Sequence, residues 1–149
     1  MNRFRKQLLV LVGAVVLMAG VASILAKGTE QVSDSKPSVS RLAVVWSSAD
    51  PDVAHNACLM YAHAAATKKW FDEVRLIVWG PSDRLLATDK DLQAKVKAMI
   101  KDGVIVQACI HCADSYGATE ALRKLGVEVK PMGQPLTDML KSDYKVLTF

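Results

Sequence analysis

The chain has 149 residues, 51% of them hydrophobic and 23% charged, with a formal net charge of +4. Arg3, Arg5 and Lys6 precede all of the acidic residues, so the rest of the chain is nearly neutral. A nearly neutral domain lacks the basic surface that holds phosphates, which excludes nucleic acid as a predicted partner. The length suits one domain with its own core and is too short for two.

Residues 1–26 have the pattern of a targeting segment. Their basic start is followed by an uncharged run over residues 8–26, a combination that the export machinery reads. The run is long enough for a helix to cross a bilayer, and the small residues Ala22 and Ser23 suit signal cleavage. We predict a signal peptide or an N-terminal membrane anchor, a hydrophobic helix. Either one leaves the domain membrane-anchored or secreted, on the periplasmic or extracytoplasmic side.

A spacer separates this segment from the predicted domain. Residues 27–40 contain few apolar side chains and are rich in Ser, Thr, Gly and Pro. Such a composition is typical of a flexible linker. We therefore assign residues 41–149 to the folded domain.

Short apolar runs alternate with helical patterns through the domain. Predicted strands cover residues 42–46, 74–79, 104–106, 127–129 and 146–149. Predicted helices cover residues 53–69, 90–101, 115–124 and 135–140. Gly80 and Pro81 are predicted to end the second strand. Alternating buried strands and helices predict an α/β fold, a parallel sheet with helices on both faces.

Cys109 and Cys112 follow the third predicted strand with the spacing Cys-x-x-Cys. This spacing permits a disulfide, a shared metal, or a nucleophile with a resolving partner. Ligands gather at the carboxyl ends of parallel strands, and the next helix offers N–H groups and a positive dipole end that stabilise a thiolate. A protonated His111 would add to this effect, whereas Asp114 is interpreted as a cap near the helix start.

Several alternatives compete for this thiol pair. A c-type haem needs His directly after the second Cys, and Ala113 stands there instead. A structural zinc site needs four ligands, and only the two cysteines and His111 are local. We therefore predict no metal and no cofactor. A plain structural disulfide stays open, because the targeting segment implies an oxidising compartment. Cys58, within the first predicted helix, is interpreted as a small core residue.

Several stretches of the domain carry a resemblance to a known family. They are residues 77–82 together with Leu85 and Leu86, residues 103–117, which end in the sequence ACIHCADSYG, and residues 125–137 and 145–149. From about Leu42 onward the chain resembles the DsrE/DsrF-like family, and within it the small stand-alone members. The resemblance implies a three-layer α/β/α fold with a mainly parallel five-stranded sheet, and a homo-oligomer, trimeric or hexameric. Cys109 aligns with the cysteine that carries sulfur as a persulfide in sulfur-relay members.

The predicted function follows from this resemblance and from the thiol pair. We expect an exported or membrane-tethered sulfur carrier or sulfurtransferase-like protein that holds sulfane sulfur as a persulfide on Cys109. Cys112 could release the sulfur and leave a disulfide, and the partner would be a sulfur donor or acceptor protein or a small sulfane-sulfur species. The supporting residues are predicted to be His111, Asp114, Ser115, Tyr116 and Ser48. Two alternatives stay open: a non-enzymatic oligomeric module with a structural Cys109–Cys112 disulfide, and a dithiol–disulfide exchange protein.

Overall fold

The structure, a computed structural model, describes residues 39–149. The predicted targeting segment, residues 1–26, and nearly all of the predicted spacer lie outside the described residues. Within the described part of the chain, no helix has the length and apolar character needed to span a bilayer.

The described residues alternate strands with helices. The strands are β1 (Arg41–Trp46), β2 (Glu73–Val78), β3 (Ile105–Cys109), β4 (Glu128–Lys130) and β5 (Lys145–Thr148). The helices are α1 (Pro51–Val53), α2 (Leu59–Thr67), α3 (Pro81–Thr88), α4 (Lys90–Lys101), α5 (Ile110–Ser115), α6 (Thr119–Lys124) and α7 (Gly133–Leu140). A π-helical segment, Ala54–Cys58, joins α1 to α2, so that the first predicted helix forms as one run.

All five strands are parallel and lie in the order β4-β3-β2-β1-β5. Each of the three crossover connections from β1 to β4 leads to the neighbouring strand, always toward the same edge of the sheet. Right-handed crossovers in one direction place their helices on the same face of the sheet. The last connection returns through α7 across the sheet to β5 on the opposite face. The predicted α/β fold with a parallel five-stranded sheet is confirmed.

The two faces of the sheet pack against separate hydrophobic clusters. The larger cluster includes Leu42, Val44 and Trp46 of β1 together with apolar residues of α2 to α6. The smaller cluster contains Ala43, Val45, Ile77, Cys109, Met132 and Met139. Successive side chains of a strand point to opposite faces. The Cys109 side chain therefore points to the face that α7 covers.

The helix α3 was not predicted from the sequence. Gly80 and Pro81 do end β2, as expected, but Pro81 is also the first residue of α3. Proline suits this position, because the first N–H groups of a helix have no intrahelical acceptor. The Gly-Pro pair therefore both ends a strand and begins a helix, and the sequence predicted only the end of the strand.

The predicted helix over residues 115–124 is wrong in its bounds. α5 begins directly after Cys109, and the chain turns before α6. Gly117 adopts a φ of 63°, a left-handed conformation that commonly ends helices. The N–H groups of Gly117 and Ala118 donate to the carbonyls of Asp114 and Ala113 at 3.0 and 2.8 Å. These bonds satisfy the last carbonyls of α5 and separate it from α6.

Candidate functional site

The two thiols lie at the carboxyl end of β3. Cys109 is the last residue of that strand and the N-cap of α5, and Cys112 lies in the first turn of the same helix. Both are free thiols. The Cys109 residue is only 4% exposed, whereas Cys112 is half-buried. Solvent therefore reaches the pair mainly from the Cys112 side.

The surroundings of Cys112 raise the pKa of its thiol. Burial raises the pKa of the Cys112 thiol above its ordinary value, and its hydrogen bond with the Cys109 sulfur raises it further. The N–H of Gly80 opposes these effects, and the negative charge of Asp83 adds to them. The Cys112 proton is therefore held more tightly than that of an ordinary cysteine.

Apolar side chains form one wall of the thiol pair. Met132 is fully buried in the cluster that contains Cys109, and Trp79, Leu136 and Cys112 pack against that cluster. An apolar wall excludes water and strengthens the electrostatic interactions inside the site. The charge on either sulfur is therefore set mainly by a few neighbouring polar groups.

Asp83 is a buried carboxyl that was not predicted from the sequence. The residue lies in the first turn of α3 and is 0% exposed. Neither of its carboxyl oxygens accepts a well-formed hydrogen bond from the described residues. Burial raises the pKa of Asp83 to about 7, and the N–H groups of Asp83 and Gly80 oppose that shift only in part. An acidic residue after Gly-Pro signals a helix start, but nothing in the sequence indicates its burial.

Gly80 forms the corner between β2 and α3, and its backbone N–H acts on both Cys112 and Asp83. Gly80 has φ 74° and ψ −132°, a conformation that residues with a Cβ rarely adopt. In this conformation its N–H lies close to the Cys112 sulfur and to the Asp83 carboxyl, and lowers the pKa of both. The corner is fixed by the buried Ser82 hydroxyl, which donates to the Trp46 carbonyl at 2.5 Å and accepts from the Trp79 N–H at 3.0 Å.

Gly80→Ala is expected to lower the free energy of unfolding by about 1–3 kcal/mol, because alanine would be strained in this backbone conformation. The added Cβ would meet no atom within 4 Å, so the cost is conformational rather than steric. Urea denaturation measures the effect. Gly133→Ala is the matched control, since its Cβ also meets nothing and its φ is not positive. Equal destabilisation by the two variants would contradict the backbone explanation.

Within the described residues, the side chains of His111, Tyr116 and Ser48 make no hydrogen bond with either cysteine of the pair. His111 is exposed, and the Arg84 guanidinium lies 5.4 Å over the ring of Tyr116, which is 39% exposed. Ser48 follows β1, which is not a neighbour of β3, and its hydroxyl accepts from the Asp50 N–H at 3.0 Å. Of the predicted supporting residues, Ser115 is the one whose side chain bonds to a cysteine of the pair within the described residues, through the Cys112 carbonyl.

The interpretation of Asp114 as a cap near the helix start is wrong. Asp114 and Ser115 lie in the last turn of α5, because the helix begins at Ile110. Asp114 is not a cap at the start of that helix; it accepts a hydrogen bond from the Thr119 hydroxyl at 2.5 Å and links α5 to α6. The Ser115 hydroxyl donates to the Cys112 carbonyl at 2.8 Å.

Cys58 takes no part in the site. It is 0% exposed in the π-helical segment, which confirms its prediction as a core residue. Burial raises the pKa of its thiol to about 12. A thiol with such a pKa is almost fully protonated near neutral pH and reacts poorly.

Two solved structures are similar to this domain. A conserved protein of unknown function from Bacteroides thetaiotaomicron, BT1422, is 31% identical, with a TM-score of 0.71 over 73% of this chain and 94% of that chain. The ychN protein from E. coli has a similar fold at 20% identity, with a TM-score of 0.58 over 74% of this chain and 99% of that chain. No curated protein matches the chain.

A family model settles the classification. The model of the DsrE/DsrF-like family matches residues 40–149, which is more than half of the chain and includes every strand described above. The same family was predicted from the sequence segments around the thiol pair. The chain therefore belongs to the DsrE/DsrF-like family, which is associated with sulfur relay.

Proposed function

We propose that this protein handles sulfane sulfur and that Cys109 carries it as a persulfide. The observation that supports this most directly is the placement of a nearly buried cysteine at the end of β3, with a second thiol in contact with it. A thiolate at such a position is a nucleophile with a partner able to resolve its products. Membership of a family associated with sulfur relay favours sulfur as the transferred group.

Loading requires one nucleophilic substitution. The Cys109 thiolate attacks the terminal sulfur of a donor persulfide, R–S–S⁻. A bond forms between that sulfur and the Cys109 sulfur, the S–S bond of the donor breaks, and the donor leaves as the thiolate R–S⁻. No external oxidant is needed, because the sulfane sulfur keeps its oxidation state.

Release can follow by either of two routes. An acceptor thiolate can attack the outer sulfur and take it away as a new persulfide. Alternatively, Cys112 loses its proton to solvent and attacks the inner sulfur on Cys109. The S–S bond of the persulfide breaks, and the outer sulfur leaves with the bonding electron pair and takes up one proton from solvent to become hydrosulfide. The two cysteines are thereby oxidised to a disulfide while the sulfane sulfur is reduced.

The burial of the site restricts the donor. Because Cys109 is only 4% exposed, a bulky folded surface cannot lie flat against its sulfur. We propose as partners a small sulfane-sulfur species or a protein that presents its cysteine on a protruding segment. We also propose that the domain works outside the cytoplasm behind the targeting segment of residues 1–26, and that it forms a trimer or a hexamer.

The test is sulfur loading of the reduced protein. After incubation with polysulfide and removal of excess reagent, mass spectrometry of alkylated peptides should show an adduct of about 32 Da, one sulfur atom, on Cys109. Cys58 is the internal control and should carry no adduct, since it is fully buried. Failure to find the adduct on Cys109 in Cys112→Ser, which lacks the thiol that could expel the sulfur, or its appearance only on Cys112 in the wild type, would contradict the proposal.

A structural disulfide between Cys109 and Cys112 is the second candidate, favoured by the packing of Cys112 against the cluster that contains Cys109. It predicts a protein that is isolated about 2 Da lighter than its reduced form and that melts at a lower temperature after reduction. The effect would be small, since a crosslink that closes so short a loop removes little entropy from the unfolded chain. Sulfur uptake by the reduced protein separates the two candidates.

A further inference from the structure

An exposed tryptophan lies at the amino end of the sheet, where the strands begin, opposite to the thiols. Trp70 is 53% exposed in the connection from α2 to β2, and it follows the exposed Lys68 and Lys69. The Trp70 N–H donates to the Ala65 carbonyl at 3.0 Å, and its ring centre lies 6.0 Å from that of Tyr61. The tryptophan is therefore held in place while much of its side chain faces solvent.

Lys69 has a backbone conformation that favours glycine. Its φ of 56° lies in the left-handed region, and among the described residues it is the one non-glycine residue with a positive φ. Residues with a Cβ adopt this region at a conformational cost that glycine does not bear. A lysine that bears this cost points to a use for its charged side chain.

The chain enters the domain beside Trp70. The Ser40 N–H and hydroxyl donate to the Asp72 carboxylate at 2.7 and 2.8 Å, and the Asp72 N–H donates to the Ser40 carbonyl at 2.9 Å. These bonds fix the start of the domain two residues from Trp70. A fully extended chain of the length of residues 27–40 reaches at most about 50 Å. A membrane anchor in residues 1–26 would therefore hold Trp70 near a bilayer surface.

Positive charge predominates at this end of the sheet. Because all five strands are parallel, the connections that lead from the helices back to the strands lie there together. Exposed lysines outnumber exposed aspartates in and beside these connections: Lys68, Lys69, Lys101, Lys124 and Lys141 against Asp72, Asp102 and Asp143. The aspartates are bound by Ser40, His63 and Arg41, respectively. None of the five lysines forms an ion pair within the described residues, so the unpaired charge is positive.

An anionic lipid surface fits this combination of side chains. Tryptophan is enriched at the headgroup level of bilayers, and lysine side chains reach lipid phosphates while their stems cover apolar surface. A second copy of this chain would instead bring the same unpaired lysines against one another, and like charges repel. Lysines at helix ends also offset the helix dipole, but that role does not account for an exposed tryptophan.

We propose that Lys68, Lys69 and Trp70 dock the domain onto an anionic membrane surface, with the amino end of the sheet facing the lipid. The thiols, at the carboxyl end of β3, then face away from the membrane, toward sulfur donors in solution. This proposal rests on the proposed location of the domain behind a membrane segment, and it does not depend on the sulfur chemistry.

The experiment reconstitutes the full chain into vesicles of phosphatidylcholine and phosphatidylglycerol, with and without brominated acyl chains, and measures tryptophan fluorescence. Bromine quenches tryptophans that reach the lipid. The other two tryptophans are Trp46, which is 0% exposed, and Trp79, which is half-buried, and Trp70→Phe identifies the emission of Trp70. Brominated lipid should quench that emission at low salt. High salt, or phosphatidylcholine alone, should abolish the quenching, because salt screens exposed charges.

Lys69→Gly removes one charge without straining the backbone, so it should fold at least as stably as the wild type. The ratio of quenched to unquenched Trp70 emission is expected to fall about fivefold in this variant, and about thirtyfold when Lys68→Gln is added. Lys90→Gln is the matched control, because Lys90 is also exposed but begins α4, at the opposite end of the sheet. Its ratio should equal that of the wild type.

The outcomes separate the docking from the anchor. A chain that stays with the vesicles in high salt, but whose Trp70 emission is not quenched at low salt, would overturn the docking and leave the anchor standing. Quenching that both lysine variants leave unchanged would also overturn it. Sedimentation with the vesicles only at low salt would support the docking and contradict the anchor. A chain that never sediments with the vesicles would contradict both.

Discussion

Cys109→Ser is expected to abolish sulfur loading completely, whereas Cys112→Ser should load as well as the wild type. A serine hydroxyl is not ionised near neutral pH and cannot form a persulfide, so the first variant lacks the acceptor atom itself. The second variant keeps that atom and lacks only the resolving thiol. Peptide mass spectrometry after polysulfide treatment measures the adduct of about 32 Da in both.

The fate of the loaded sulfur separates the roles of the two cysteines further. Loaded wild-type protein should release hydrosulfide without an added thiol and become about 2 Da lighter than its reduced form. Loaded Cys112→Ser should hold its sulfur until an external thiol is added. Cys58 stays in both variants as an unreactive reference, because burial raises its pKa to about 12. Spontaneous release from Cys112→Ser would show that Cys112 is not the resolving thiol.

Asp83→Asn is expected to stabilise the protein, and more so at pH 8 than at pH 5. The folded-state pKa of Asp83 is about 7, against an ordinary value of 3.8. Between these values the folded state binds a proton that the unfolded state lacks, so the stability falls as pH rises from about 4 to about 7. Asparagine does not titrate. Its advantage should therefore grow by roughly 2–3 kcal/mol between pH 5 and pH 8.

Urea denaturation at the two pH values measures this difference. Asp91→Asn is the control, because the exposed Asp91 carboxylate is solvated in both the folded and unfolded states. The wild type and this control should have the same pH dependence. If the advantage of Asp83→Asn were equal at pH 5 and pH 8, the Asp83 carboxyl would not be titrating in this range.

The strand pattern was predictable because it depends on local composition. Each buried strand of a parallel sheet contributes a short continuous apolar run, as β1 and β3 do. The intervening helical patterns imply crossovers of one hand, which place successive strands side by side. The parallel sheet follows from these two regularities, whereas the position of β5 beside β1 does not.

The helices next to the site were harder to predict. Gly80 and Pro81 both end β2 and begin α3. The Gly-Pro pair by itself predicts the end of the strand and does not show that a helix follows. Similarly, α5 begins immediately at the thiol pair because β3 ends there. Gly117 then ends α5 by adopting a left-handed conformation. This conformation is required by the path of the chain toward α6, which the local sequence does not show.

The parallel α/β fold, the family and the position of Cys109 and Cys112 at a strand end could all be predicted without a structure. These follow from apolar runs, from spacing and from motif order, which are properties of neighbouring residues. The tertiary structure was needed to show that Cys109 is nearly buried, that Cys112 packs against the cluster that contains it, and that the Asp83 carboxyl is fully buried. Burial depends on how helices such as α3 and α5 pack together, and therefore on residues that are distant in the chain.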